Sequence, residues 1–419
     1  MARGLIITVG KGTGPDVDIA GPVAKSVRNS HPEVVAFVVT AESEPIARRA
    51  AARCELRDEQ LRFVRLEDKD DVNLVFRQLV AAVRELETLG IDASQVEVDY
   101  TTGTKSMSAA AVAAACATGC GALKLVAGQR DPVRGVVMCG TEKIQITEPV
   151  AILAHQRLDS AHEQLRALRF DAARMLLRGV NAAMLEDDRR AEPAELVRII
   201  DGFDRWDKFD QGNAARILRE VGFHGPRNGA YQVKEDLLER IRGMRSQADQ
   251  GKIDEDLLAD LANNAWRRWY EGKFDDAVAR VYRLVEMLAQ WVLQARHGIK
   301  TGNVDPARVP ESWRGKLEAR RDRRDGRVKI GLAESYALLL ELGSPLGALY
   351  QENGRLGELL GRRNSSILGH GMIPVGRETC EGLFAAALAL AEAAVPDFRS
   401  RRRDLQFPWL RNETDPGAG

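Results

Sequence analysis

Two short stretches of this 419-residue chain hold residue types that can do chemistry. "YTTGTKSM" (Tyr100–Met107) carries a glycine, a lysine and four Ser or Thr hydroxyls. A related stretch, "TVGKGTGPD" (Thr8–Asp16), follows the first apolar run. Glycine lets backbone approach a ligand closely, and free N–H groups at a helix start attract phosphate. Lys11 and Lys105 add charge, and the hydroxyls can reach phosphate or ribose oxygens. Together the two loops describe a pocket for something phosphorylated.

The other stretch is "GRRNSSILGHGM" (Gly361–Met372), with Arg363, Asn364 and His370. Imidazole moves protons near neutral pH. Guanidinium holds a phosphate bidentately and stabilises charge growing on it, and an amide can orient either. Such a set can cleave RNA without a metal. The 2′-hydroxyl attacks the adjacent phosphate, leaving a 2′,3′-cyclic phosphate and a free 5′-hydroxyl. Arg363 and His370 are seven apart, so on a helix they share a face with a rise of about 10 Å between them. Convergence then needs Arg363 to reach along the helix, or a kink at Gly369. By itself the pair fits a surface arginine beside a capping histidine better. The other five histidines (His31, His155, His162, His224 and His297) show no polar constellation in sequence.

Known nucleotide motifs do not match. "GTKS" places Thr104 between glycine and lysine, and Gly10, Gly12 and Gly14 give G-x-G-x-G rather than the dinucleotide fingerprint. Glu42, after the second apolar run, could mimic a ribose-binding acid, but an oxidoreductase or ATPase is disfavoured.

The elements that must position these loops are legible in the patterning. The first 150 residues alternate β-branched runs with helical stretches, so a parallel sheet covered on both faces is expected. The runs are "LIITVG", "VVAFVVT", "LRFVRLE", "QVEVDYT" and "ALKLVAG", with "GVVMCG" and "EKIQITEP" as a closing hairpin. Helices are expected at about 16–29, after a Ser43 cap, over Asp71–Gly90, and from Ser106 to about Cys120. Beyond Pro149 strands disappear. The fold class is therefore α/β plus all-α: a Rossmann-like domain over 1–150, a helical linker over 151–250 and an all-helical domain over 251–419.

In the helical part, Ala277, Val281, Leu284, Val285, Leu288 and Trp291 make one apolar stripe. Three segments (Arg169–Leu177, Lys208–Leu218, Lys273–Tyr282) each begin aromatic-Asp, which also suits ordinary helix starts. Arg314–Lys329 is a charge-rich stretch expected as a solvated loop, and the tail after Phe398 is expected to fray.

Sixty-one basic and 61 acidic residues leave no net charge, so any anion site must be local. Five cysteines with no ligand cluster suggest reduced, packing thiols, Cys116 and Cys120 on a buried helix, in a cytoplasmic protein. No apolar run reaches the roughly 18 residues of a membrane span.

"LIITVG" with its glycine loop, and "VDYTTGTKSM" before an alanine-rich helix, resemble the ligand loops of CARF domains. "RNSSILGHG" resembles the Arg-x(4–6)-His motif of HEPN ribonucleases, and "FDDAVARVYRLVEMLAQ" is similar to an early HEPN helix. The chain thus resembles the CRISPR-associated CARF–HEPN ribonucleases of type III systems. That resemblance implies a homodimer that binds cyclic oligoadenylate, tetra-adenylate favoured over hexa-adenylate, and then cuts single-stranded RNA without a metal. It implies Gly10, Lys11, Gly12 and Thr13 as ligand contacts, together with Thr102, Gly103, Thr104 and Lys105. Arg363, Asn364 and His370 would be catalytic, and slow cleavage of the ligand itself is a further possibility. A nucleotide-sensing adaptor without catalysis is the alternative.

Overall fold

β1 (Gly4–Thr8) is buried along its whole length, as a parallel strand covered on both faces must be. β2 (Val34–Val39) and β4 (Val96–Asp99) flank it, both parallel to it. β3 (Leu61–Arg65) and β5 (Ala122–Ala127) extend the sheet in parallel, and β6 (Lys143–Thr147) closes one edge antiparallel to β5. The order is β3-β2-β1-β4-β5-β6. The computed structural model describes residues 3–12, 18–129, 141, 143–149, 153–354, 356–357, 360–361, 366–369 and 371–415. "GVVMCG" lies outside the described residues; among those described, "EKIQITEP" pairs with β5.

Strand periodicity divides the core in two. Leu5, Ile7, Val35 and Phe37 pack under α1 (Ala20–Ser30) and α2 (Glu44–Arg53). Ile6, Ala36, Val38 and Val98 pack under α3 (Val72–Thr88) and α4 (Lys105–Thr118). Each fully buried aliphatic side chain contributes roughly 1.5–3 kcal/mol. α3 is capped by Asp71, whose carboxylate accepts from the N–H groups of Asn73 and Leu74. α1 starts at Ala20, later than expected, because Ile19 takes the N-cap position without a side-chain acceptor. Ser43 stands at the N-cap of α2 but does not cap it; its hydroxyl accepts from Thr40 N–H at 2.9 Å. Cys120 lies beyond the end of α4, where Gly119 turns left-handed, and is buried there as a free thiol.

The chain divides into two units, residues 1–159 with 176–186 and residues 160–175 with 187–419. The second is helical. Its centre is α11 (Phe274–His297), which packs against α10 (Glu255–Tyr270), α13 (Leu332–Glu341) and α15 (Arg377–Ala394). Five of the six stripe residues on α11 are buried, whereas Trp291 is only half-buried. α7 (Glu192–Asp207) packs on α8 (Gln211–Arg219), and α8 on α9 (Glu235–Asp249). Within this unit, Trp206 of α7 donates to Asp260 of α10 at 2.9 Å, so these helices share one core.

The aromatic-Asp segments are not equivalent. Phe170 and Phe274 open their helices, while Phe209 precedes α8 with φ +61°. The charge-rich stretch is helical at its start, in α12 (Glu311–Glu318), and Leu317 and Val328 are buried. The tail does not fray. α16 (Phe398–Asp404) is followed by buried Leu405, Phe407 and Leu410. Phe407 meets Phe203 and Trp206 edge-on, at 4.9 and 5.1 Å between ring centroids. Composition misled here: arginines and prolines along the tail conceal aromatic residues that fill a core. Among the described residues no single helix is long and apolar enough to cross a membrane.

Candidate functional site

β1 and β4 are neighbours although β2 and β3 separate them in sequence, so strand order reverses between them. In an open α/β sheet that reversal leaves a crevice beyond the carboxyl strand ends, where ligands bind. The two glycine-rich loops leave those two ends, and they touch. Gly10 N–H donates to Thr102 Oγ1 at 3.4 Å, and the Thr102 hydroxyl donates to the Thr8 carbonyl at 2.5 Å. The Thr8 hydroxyl donates in return to the Thr102 carbonyl. Gly103 adopts φ +112° and Gly12 φ +81°, regions that favour glycine. Thr13 lies outside the described residues.

The 100–105 loop is held from beneath. Buried Asp99 accepts from Thr101 N–H at 2.8 Å, and Thr101 Oγ1 accepts from Val126 N–H at 2.8 Å. Burial raises the Asp99 carboxyl pKa. Thr104 caps α4, accepting from Met107 N–H at 3.2 Å and donating to the Lys69 carbonyl at 3.0 Å. The hydroxyls of Thr102 and Thr104 therefore fasten the loops to each other and to the sheet. What remains for a ligand is glycine backbone, the start of α4 and the lysines. Lys105 is exposed and has no ion pair among the described residues. Lys11 pairs with Glu42 at 2.9 Å, and Lys69 with Asp70 at 2.7 Å.

Lys69 and Asp99 were not found by sequence reasoning. The signal for Lys69 is topological: the β3–α3 loop leaves the sheet at the same end, and the Thr104 bond draws it in. Asp99 is the last residue of a buried strand, where a carboxylate needs a partner; that burial was not legible beforehand.

Arg363, Asn364 and His370 lie outside the described residues, and their flanks are informative. Residues 366–369 form a turn, in which Gly369 N–H donates to the Ser366 carbonyl at 2.9 Å, as does Gly371 N–H at 3.2 Å. The described residues 366–369 are therefore in a turn rather than in the single helix considered for this stretch. Leu360 and Ser366 are buried. Val375 N–H reaches the Asp275 carboxylate at 3.3–3.4 Å, fastening the far flank to the start of α11. Ile367, Leu368, Met372 and Ile373 are exposed.

Three of the histidines read as isolated have polar partners. His162 is buried between Tyr231 Oη at 2.9 Å and Glu192 Oε1 at 2.8 Å. Burial holds its pKa below the usual imidazole value despite the carboxylate. His155 bonds Glu186 at 2.7 Å and His224 bonds Glu195 at 2.5 Å. Partners 30 or so residues away leave no local trace in sequence. Among the described residues no group of three or more His, Cys, Asp or Glu could hold a metal.

A doubly wound sheet with paired loops at its switch point, followed by a helical unit, defines a Rossmann-type domain joined to an all-helical one. Residues 248–394 match the family described as the Csm6 HEPN domain, and the stretch from Arg363 to His370 falls inside that match. That match lies within the helical unit, and the sheet domain stands before it. Csm6 of Enterococcus italicus, solved bound to cyclic hexa-2′-fluoro-hexa-dAMP, superposes over 98% of this chain and 100% of its own, with a TM-score of 0.54 and 12% identity. A type III CRISPR defence DNA nuclease activated by cyclic oligoadenylate matches over 48% of this chain and 34% of its own, at 18% identity, with a TM-score of 0.25. A Vibrio cholerae protein matches over 72% of this chain and 70% of its own, at 10% identity, with a TM-score of 0.26. Neither of the last two scores carries an argument about this fold. No curated protein matches the sequence.

Proposed function

We propose that this protein is an endoribonuclease of type III CRISPR defence, activated by a cyclic oligoadenylate. The observation that carries the reading is the HEPN match enclosing Arg363, Asn364 and His370, in a chain whose other unit brings two glycine loops together at a switch point. The activator sits on Gly10, Lys11, Gly12 and Thr13 of one loop and Thr102, Gly103, Thr104 and Lys105 of the other. Two copies of the chain share one ring, each supplying half of the contacts, and the helical residues 151–250 join the sensor to the 251–419 effector.

In the effector, His370 moves a proton while the 2′-hydroxyl attacks the neighbouring phosphate. Arg363 balances charge on the phosphorane and Asn364 orients the group. The products are a 2′,3′-cyclic phosphate and a 5′-hydroxyl, and no step needs a metal. The site of action is the cytoplasm. The activator is cyclic tetra-adenylate, and because the Enterococcus protein was solved with a six-membered ring analogue, both rings belong in the test. Lys105, which is exposed, also suits slow opening of the ring by its own 2′-hydroxyl.

The test is cleavage of labelled single-stranded RNA in EDTA, with and without each ring. Ring-dependent cleavage that leaves a cyclic phosphate and is absent from His370→Ala supports the reading. Ring binding without cleavage under any condition makes the protein a non-catalytic sensor instead.

A further inference from the structure

Glu42 follows β2, and its Oε2 lies 2.9 Å from Lys11 Nζ, with both side chains 64% exposed. The Lys11 hydrogen bond and charge hold the Glu42 carboxyl below its usual range, and the charge of Lys69 adds to the effect. The ends of β1, β2, β3 and β4 thus bring Lys11, Glu42, Lys69 and Lys105 to the same edge of one sheet. Asp70 pairs with Lys69, and Glu42 is the carboxylate that occupies Lys11, at a place whose backbone suits an anion. As a stabilising device this pair is poor, because exposed ion pairs add little to folding. As an occupant of a phosphate site it makes sense: carboxylate and phosphodiester both accept from the same ammonium.

We infer that Glu42 is an internal counter-anion, which holds Lys11 in the free protein and must be displaced by a phosphate of the incoming ring. The inference rests on the cyclic oligoadenylate site proposed above and says what sets its threshold. No covalent bond changes. Lys11 leaves one anion for another, and Glu42 swings into solvent, which its exposure permits. The displacement costs part of every binding event, so the pair raises the concentration of activator needed to switch the protein on. Sequence alone suggested the opposite role for Glu42, that of an acid gripping a ribose hydroxyl.

The two roles predict opposite signs. Binding of cyclic tetra-adenylate and cyclic hexa-adenylate to the full chain is measured by calorimetry at low ionic strength. The proteins are wild type, Glu42→Gln, Lys11→Ala and the double variant. As a counter-anion, Glu42→Gln tightens binding about three- to tenfold. The gain shrinks at high salt and falls by more than half in the Lys11→Ala background. The ring concentration for half-maximal RNA cleavage drops by the same factor. Unchanged or weaker binding by Glu42→Gln overturns the inference, as does an equal gain in both backgrounds, which would mean plain repulsion. Failure of the wild type to bind either ring overturns both the inference and the activator itself. Glu42 is exposed, so the variants keep the fold.

Discussion

Gly10 and Gly103 approach so closely that a β-carbon on Gly10 would stand 2.7 Å from the Gly103 nitrogen and 2.9 Å from its Cα. Backbone cannot yield as a side-chain tip can. Gly10→Ala therefore forces the two loops apart and breaks the Gly10–Thr102 bond. The expected outcome is a loss of about 1–3 kcal/mol in stability and a tenfold or greater loss of cyclic oligoadenylate affinity. Urea unfolding and calorimetry measure the two, with circular dichroism showing the sheet retained.

Asp99 supports the ligand loop by accepting from Thr101 N–H. Asparagine keeps that acceptor and alanine does not. Asp99→Asn should bind the ring within about twofold of wild type, whereas Asp99→Ala should bind about tenfold more weakly, in line with a lost buried hydrogen bond. Equal losses in the two variants would show that charge, not the acceptor, is what the loop needs.

Arg363→Ala and His370→Ala should each lower ring-stimulated RNA cleavage by about 10²–10⁴-fold. Ring affinity should stay unchanged, since the loops proposed to bind it belong to the other unit. A variant that loses both properties would point to a folding defect.

Asp260 is fully buried, and its pKa is pushed up to about 6 by burial, against the smaller opposing effects of Arg267, Gln211 and Trp206. A carboxyl raised in the folded state adds stability that is fully present below its ordinary value near 3.8 and is lost as pH rises through about 6. Compared with Asp260→Asn, which cannot titrate, wild type should lose about 2–2.5 kcal/mol between pH 4 and pH 7. Urea unfolding of both proteins at the two pH values checks this; a constant difference would refute it.

Phe407 sits in the core of the helical unit with Arg267 stacked over its ring, 4.1 Å from the centroid. Phe407→Ala should cost about 3–5 kcal/mol. It also removes the ring stacked on Arg267, leaving that guanidinium to Asp207, Gln406 and Asp260. Chemical unfolding of the variant reads the loss, and a change within 1 kcal/mol would mean that the tail is dispensable.

The parallel sheet was legible because strands buried on both faces, such as β1 and β2, are apolar throughout, and five β-branched runs alternate with helical stretches. The two glycine loops stood out because glycine, threonine and lysine at strand ends have a stated chemical use, and the structure brings those loops together. Tail and histidines were not, since an aromatic residue or an imidazole reveals its partner only when distant segments meet. The His162–Tyr231 pair spans 69 residues and the Asn263–Arg402 bond 139.

Sequence by itself determined the order of the strands and helices, the glycine loops and the Arg–His stretch, because periodicity and residue chemistry are local properties. Only the tertiary structure decided that β1 and β4 are neighbours, that Thr102 and Thr104 spend their hydroxyls on the protein, and that Glu42 rests on Lys11. Each depends on strand ends far apart in the chain arriving at one edge of a sheet, and the energy that brings them there comes from burial of the whole core.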